Sequence, residues 1–335
     1  GLIWKWKNHI DKKFMAMFQQ LPAMDMASGP AKTTLAHPAI SGLDKKQAQQ
    51  QLMRCDGCGA KVGATILSKV MSQLEIKDDA SIILGVYDSD DAAAVSVPNG
   101  KALVQSIDSF SGMVDDEYLQ GRLAALHALS DIFAMGAAPH SAQVLAAIPS
   151  GGDSFTERSF KALMQGALTE LNKHQCFLIG GHTSEADKLS LGLTINAFCD
   201  PEKIISKSKP QANDHIILCK PIGTGILFAA QQQLLCTGPW LEEAIESMLV
   251  SNSTAAQLAG KYKAHAVTDI TGFGLLGHLC EMLKTSPELH LELQSNNIPT
   301  FSGAKKLAHN GVRSSLFQQN QLSCQHLIDT SNIEA

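Results

Sequence analysis

Aromatic residues are scarce, at 5% of 335 positions, and no block of like charge accompanies the modest net charge of -5. The first absence removes the stacking platforms that bind single-stranded nucleic acid, and the second removes the basic footprint that a phosphate backbone requires. No run approaches the roughly 18 consecutive apolar residues of a membrane span, and no leader with an apolar stretch and cleavage site is visible, so a chain neither spanning nor exported is expected. The signature G-x-x-x-x-G-K-[ST] is missing, which excludes an ordinary P-loop. Also missing is a second C-x-x-C or an H-x-x-x-H, so the C-x-x-C of Cys55 and Cys58 lacks the other half of a closed zinc site.

What is present is ordinary globular composition, 44% hydrophobic and 18% charged, enough apolar material for about two domain cores. Eight cysteines, at positions 55, 58, 176, 199, 219, 236, 280 and 324, are scattered, mostly through apolar runs. A free thiol there behaves as a small hydrophobe, and a reducing cytoplasm is the expected compartment. The chain opens on Gly1 rather than Met, which reads as a fragment or a processed start.

Residues 1–24 place Leu2, Ile3, Trp6, Ile10, Phe14, Met17 and Phe18 near one helical face, with Lys5, Lys7, Lys12 and Lys13 mostly off it. Such a basic amphipathic helix suits either a membrane interface or a missing partner domain. Residues 25–52 are Gln-rich with Gly-Pro and His-Pro breaks and read as a linker. From residue 53 to 205 strand-like and helical patterns alternate: SIILGVY, AAAVSVP and KALVQSID as strands, 117–136 as helix, AAPHSAQVLAAIP as strand, 154–174 as helix behind Asp153, then CFLIGGHTSE as a buried strand running into a Gly loop and LSLGLTINAFC as strand. A second unit over 206–335 reads DHIILCKPIGTGILFAA and HAVTDITGFGLLGHLCEMLK as strand, Gly turn and helix, 240–260 as helical, and LHLELQ as strand. This pattern is that of an α/β or α+β chain of two domains.

Chemistry concentrates in carboxylates and glycines. Asp88, Ser89, Asp90 and Asp91 form an acidic loop after an apolar strand; such a cluster is either solvated or neutralised by a hard cation, for which oxygen ligands select Mg2+ or Ca2+. Asp108 ends KALVQSID, Asp131 lies in the otherwise apolar LAALHALSDIFAMG, and Asp269 ends HAVTDI. A carboxylate on an apolar element is costly unless it is paired or coordinates a metal, so three of them beside an acidic loop favour a metal and phosphate site. Gly180-Gly181-His182, Gly223-Thr224-Gly225 and Gly272-Phe273-Gly274 each follow an apolar run, where bare N–H groups can cradle phosphate oxygens, though each is also readable as a plain turn. Gly272 to Gly277 matches G-x-G-x-x-G, with Glu292 about 20 residues on, as a dinucleotide fingerprint has. Asp269, just before the pyrophosphate turn, argues against that use. Lys61 follows Cys58 by three residues, near enough on a helical turn to favour a Cys58 thiolate.

Four segments, GCGAK, DDAA with QSIDSF, HALSDIFAMGA, and GGHT with KPIGTG and TDITGFGLLGH, resemble those of the selenophosphate synthetase (selenide, water dikinase) family of the aminoimidazole-ribonucleotide-synthetase-like superfamily. The resemblance runs from about Cys55 to near the C-terminus. It implies catalytic roles for Cys58, which matches the family's Cys or selenocysteine, and for Lys61, which matches its essential lysine. It further implies Mg2+ ligands at Asp91, Asp131 and Asp269. ATP contacts are implied at Lys61, Asp88, Ser89, Asp90, Asp108, Asp131, Gly180, Gly181 and His182. The implied reaction converts selenide, ATP and water into selenophosphate, AMP and phosphate, for selenocysteine and selenouridine synthesis.

The same resemblance implies an ATP- and Mg-binding first domain, paired into a homodimer across a shared β-barrel, and a second domain incomplete at its C-terminus, without the D-P-Q-T-S-G-G-like segment. Two departures stand out: Ser89 replaces a basic residue common in the family's loop, and Ala60 replaces its frequent second cysteine, which argues against a dithiol mechanism. WKWKNHIDKKFMAMFQQLPAM is similar to the tail of an NADH-dehydrogenase-like flavoprotein that some bacteria fuse upstream of this enzyme. A two-ended piece of a fusion is therefore expected, cytoplasmic, with residues 1–24 in peripheral contact with the inner face of the membrane. Two other readings stand beside it: a dinucleotide oxidoreductase built on Gly272 to Gly277, and a catalytically silent tethering fragment.

Overall fold

The computed structural model describes residues 82–84, 93–149 and 153–327. The expected N-terminal helix and linker, the GCGAK loop with Cys55, Cys58 and Lys61, and the acidic loop Asp88 to Asp91 lie outside the described residues.

Alternating patterns over residues 93–199 become strands where expected. β1 (Ile82–Leu84), β2 (Ala93–Val97) and β3 (Lys101–Ser111) pair antiparallel in sequence order. The turn joining β2 to β3 needs two left-handed residues, and Asn99 (φ 71°) and Gly100 (φ 71°) supply them at little cost. Helix α1 (Glu117–Ala134) starts where the Asp116 carboxylate accepts the Leu119 N–H, leads to β4 (Ala138–Pro149), and α2 (Asp153–Lys173) leads on to β5 (Phe177–Ala186) and the final strand β6 (Ser190–Cys199). The sheet order is β1-β2-β3-β6-β4-β5, with β4 and β5 parallel and the other pairs antiparallel.

One face of this sheet is covered by α1 and α2, and the core lies between: Val104 and Phe110 of β3, Ala142, Val144, Ala146 and Ile148 of β4, Leu191, Leu193, Ile195 and Ala197 of β6, and Leu123, Leu129, Ile132 and Leu163 from the helices. The helices approach backbone to backbone, since Gly121 faces Leu163 O and Gly166 faces Tyr118 O with no room for a Cβ. Glu170 of α2, buried beside this crossing, takes Arg122 Nε at 2.5 Å and Lys173 Nζ at 3.0 Å. Gln120, fully buried, closes the β3–α1 corner by donating to Phe110 O and Ser111 O and accepting from the Met113 N–H.

The opposite sheet face is open in the single chain and mixed: Ile107 (77% exposed), Leu145, Phe177, Ile179 and Phe198 share it with the hydrogen-bonded pair Gln105 and Asn196. β5 is consequently not a buried strand. The expected loop at Gly180-Gly181-His182 is also replaced by strand, because these residues pair with Gln143, Val144 and Leu145 of β4 after a register shift that leaves Ile179 unmatched.

Beyond residue 200 the described chain is helical: α3 (Thr224–Gln232), α4 (Gly238–Met248), α5 (Ser253–Lys261), α6 (Gly274–Leu283), α7 (Ala304–His309) and α8 (Phe317–Cys324). Leu227, Ala230, Ala244, Phe301, Leu307 and Val312 form a second, smaller core, with Trp240 against it. The expected strands in DHIILCKP, HAVTDI and LHLELQ are not formed; among the described residues this region has one isolated bridge, Ile222 to Thr300. Apolar alternation gives a segment strand character, but a strand exists only with a hydrogen-bonded partner, and among the described residues these runs have none. Ile217, 83% exposed, shows the consequence. The dinucleotide fingerprint therefore lacks the strand it requires, although Gly274 does open α6.

Candidate functional site

Period two in a strand and period four in a helix bring two acidic residues to one seam. On β3, Ala102, Val104, Ser106, Asp108 and Phe110 turn toward α1, while Ile107 turns away. On α1, His127 and Asp131 are one turn apart on the face that meets them. Ser106 Oγ donates a short hydrogen bond to Asp131 Oδ2, and one step along both elements His127 Nε2 lies 2.7 Å from Asp108 Oδ2. That second contact has ion-pair distance without the alignment of a hydrogen bond. Asp108 Oδ1 accepts the Ser109 N–H at 2.8 Å, and the Phe110 ring lies 4.9 Å from the His127 ring. Both carboxylates are thus fixed on the helix-facing side of the sheet.

Sequence reading found Asp108 and Asp131 but missed Ser106 and His127, which orient them. The available signal was the spacing itself, a His and an Asp four apart on a helix with few other polar groups.

Gly180, Gly181 and His182 are not gathered into this seam. They lie on the edge strand β5, with β6 and β4 between it and β3, roughly 14 Å away at about 4.8 Å per strand. His182 is paired with Leu145, on the exposed face rather than the helix face. Gly181 has a packing reason of its own, because a Cβ there would stand 2.4 Å from Val144 O.

Asp269 lies in the half-buried stretch before α6, in the helical region. Among the described residues no cluster of three or more His, Cys, Asp or Glu side chains is assembled, so Asp131 and Asp269 do not by themselves make a metal centre.

Burial disfavours the thiolate at four of the described cysteines. Burial pushes Cys176 up to about 11, and burial and then Cys324 push Cys280 up to about 11; Cys199 and Cys236 are also raised by burial. A raised pKa keeps the thiol protonated and inert.

Comparison with known proteins adds the family. A model of the AIR synthase related protein, N-terminal domain, matches residues 89–199, and one of the corresponding C-terminal domain matches 211–315. The chain is similar to a selenide, water dikinase of Clostridioides difficile, 34% identical over 263 residues covering 78% of this chain and 74% of that one. It is also similar to one of Pelobacter propionicus, 38% identical over 236 residues, 70% and 67% of the two chains. Among solved structures it shares its fold with a thiamine-monophosphate kinase of Stenotrophomonas maltophilia (TM-score 0.56, 19% identity, 78% and 87% coverage). A hydrogenase maturation protein solved in complex with ATP is similar too (TM-score 0.52, 19% identity, 77% and 76% coverage).

Proposed function

Since the chain belongs to the selenide, water dikinase family of AIR synthase related proteins, we propose that it is a selenophosphate synthetase, an ATP-dependent phosphotransferase that makes selenophosphate, AMP and phosphate from selenide, ATP and water. The observation that carries this reading is the 34% identity maintained over 74% of a curated relative of that name. The intact protein is expected to release AMP from ATP only when selenide is present, followed by chromatography of the nucleotides; equal turnover without selenide, or ADP as the end product, counts against it.

Mg2+ fits the donors on offer. Asp91, Asp131 and Asp269 present carboxylate oxygens, which suit a hard cation, and the Ser106 hydroxyl already orients one Asp131 oxygen. When bound, the ion neutralises polyphosphate charge and fixes its orientation. Within the chain, Lys61 Nζ would pair with phosphate oxygens and Cys58 Sγ would hold selenium. Lys61, Asp88 to Asp90, Asp108 and Asp131 would line the nucleotide.

Ser106→Ala removes a hydroxyl donor to a carboxylate without adding bulk, a bond of about 1.5–3 kcal/mol. It is expected to raise the Mg2+ concentration needed for nucleotide binding about tenfold, read by titration with a fluorescent ATP analogue. An unchanged titration would count against Asp131 as a ligand.

The open face carrying Ile107, Leu145, Ile179 and Phe198 supports a homodimer closed across the sheet, since several large apolar side chains exposed on one face mark an interaction site. Similarity of the N-terminal tail to the end of a flavoprotein supports an upstream redox domain in the full protein. The amphipathic pattern of residues 1–24 supports peripheral membrane contact. Among the described residues no helix is long and apolar enough to cross a membrane.

A further inference from the structure

Asp269 stands in a stretch that no ladder holds, yet a side chain meant to meet a cation must be placed to within a fraction of an ångström. What fixes this stretch is α6. His278, buried on its first turns, accepts the Thr271 N–H at Nε2 over 3.1 Å, with Thr271 Oγ1 at 3.4 Å from the same nitrogen. An accepting Nε2 puts the ring proton on Nδ1, which lies 3.4 Å from Glu281 Oε2, at ion-pair range though off the line of a hydrogen bond. Glu281 Oε2 also takes Lys207 Nζ at 3.3 Å, and Lys207 is itself buried. Burial pushes the Glu281 carboxyl up, but His278 and Lys207 outweigh this and hold it below its usual range.

Lys207 belongs to the segment that leaves the sheet unit for the helices, and Thr285 Oγ1, just beyond α6, donates to Ser208 O at 2.9 Å in the same segment. From the other side Asn320 Nδ2 of α8 donates to Gly272 O at 3.0 Å.

Two buried or half-buried charges and an imidazole in one row give little net stability, because desolvation offsets most of their attraction. Their chief effect is geometric: they tie the backbone two residues after Asp269 to the joint between the two halves of the described chain. We propose that His278, backed by Glu281 and Lys207, is a positioning residue that sets where the Asp269 carboxylate meets a divalent cation and its bound nucleotide. The proposal rests on the reading of Asp269 as a ligand. The bland alternative is a satisfied polar group that only packs α6, and it predicts no effect on the cation.

The test compares His278→Leu, His278→Gln and Asp269→Asn in the full chain. Amide exchange is followed over residues 269–274, and Mn2+ binding to the complex with a non-hydrolysable ATP analogue is followed by electron paramagnetic resonance. His278→Leu is expected to speed exchange and to weaken Mn2+ each by about tenfold, the effect of losing one backbone hydrogen bond that holds a site, with exchange in β3 unchanged. His278→Gln, whose amide oxygen can accept the same N–H, should restore both to near native values. Native exchange and Mn2+ affinity in His278→Leu, or equal loss in the Leu and Gln variants, overturns the positioning role. If Asp269→Asn weakens Mn2+ and His278→Leu does not, positioning alone is overturned; if Asp269→Asn binds Mn2+ normally, the ligand reading falls and the proposal with it. Should His278→Leu fail to fold, Glu281→Gln gives the same comparison with an expected effect of about threefold, and native behaviour there is equally decisive.

Discussion

Gly121→Val is expected to leave the sheet unit unable to hold α1 against α2, and Gly121→Ala to lower its thermal midpoint by about 5–10 °C. A Cβ at Gly121 would stand 1.9 Å from Leu163 O and 2.9 Å from Ala167 N, and these are backbone atoms of a helix that has no rotamer to yield. Either the helices separate or the crossing rotates. Overpacking of this kind costs about 1–3 kcal/mol, occasionally more, against which alanine returns about 1 kcal/mol of helix propensity. At the upper end of that range the net loss is about 2 kcal/mol, which corresponds to the stated shift for a unit of this size.

The crossing is reciprocal, since a Cβ at Gly166 would meet Tyr118 O at 1.9 Å. Once one alanine has opened the gap, the second enters space already made. The double variant should therefore lose less than the sum of the singles by about 1 kcal/mol, which a thermal double-mutant cycle measures. Strict additivity, or a stabilised Gly121→Ala, would mean that the helices are not in backbone contact. Function should fall along with stability, because α1 carries His127 and Asp131 to the β3 seam and also carries Arg122 to the buried Glu170.

The physical reason why so much of residues 93–199 was legible is that each element there solves its own problem locally. Asp116 caps α1, Asn99 and Gly100 turn β2 into β3, and the inward residues of β3 alternate. Where a feature depends on what lies opposite, the sequence was a poor guide. HAVTDI and DHIILCKP have strand character but, among the described residues, no neighbouring strand to bond, and the glycines at 180 and 181 serve an edge strand rather than a loop. The candidate site divides along the same line. Asp108, Asp131 and Asp269 announce themselves as carboxylates on apolar runs. Ser106, His127 and His278 matter only through the register of strand against helix, or helix against loop, and nothing within a single element displays that register.

Cys58→Ser and Lys61→Ala are each expected to abolish selenophosphate formation, while Cys55→Ser should remain within about twofold of native. Serine keeps the size of cysteine but not its chemistry: a thiol ionises near pH 8.5 and forms a soft nucleophile, and a hydroxyl at neutral pH does neither. Lys61→Ala removes a cation expected at a phosphate where negative charge gathers during transfer; losses of about 100- to 1000-fold follow removal of a single such donor. Cys55 has neither the flanking GCGAK pattern nor a lysine three residues on, and Ala60 stands where the family often has a second cysteine close to Cys58. Of the other cysteines, burial pushes up Cys176, Cys199, Cys236 and Cys280, which disfavours their thiolates relative to an ordinary cysteine.

Phosphorus NMR of product, with AMP measured in parallel, separates the outcomes. Full activity in Cys58→Ser would remove selenium binding by the thiol, and its persistence in Lys61→Ala would remove the phosphate contact. A dead Cys55→Ser with an intact fold would return the Cys55 and Cys58 pair to the dithiol chemistry that the C-x-x-C spacing first suggests.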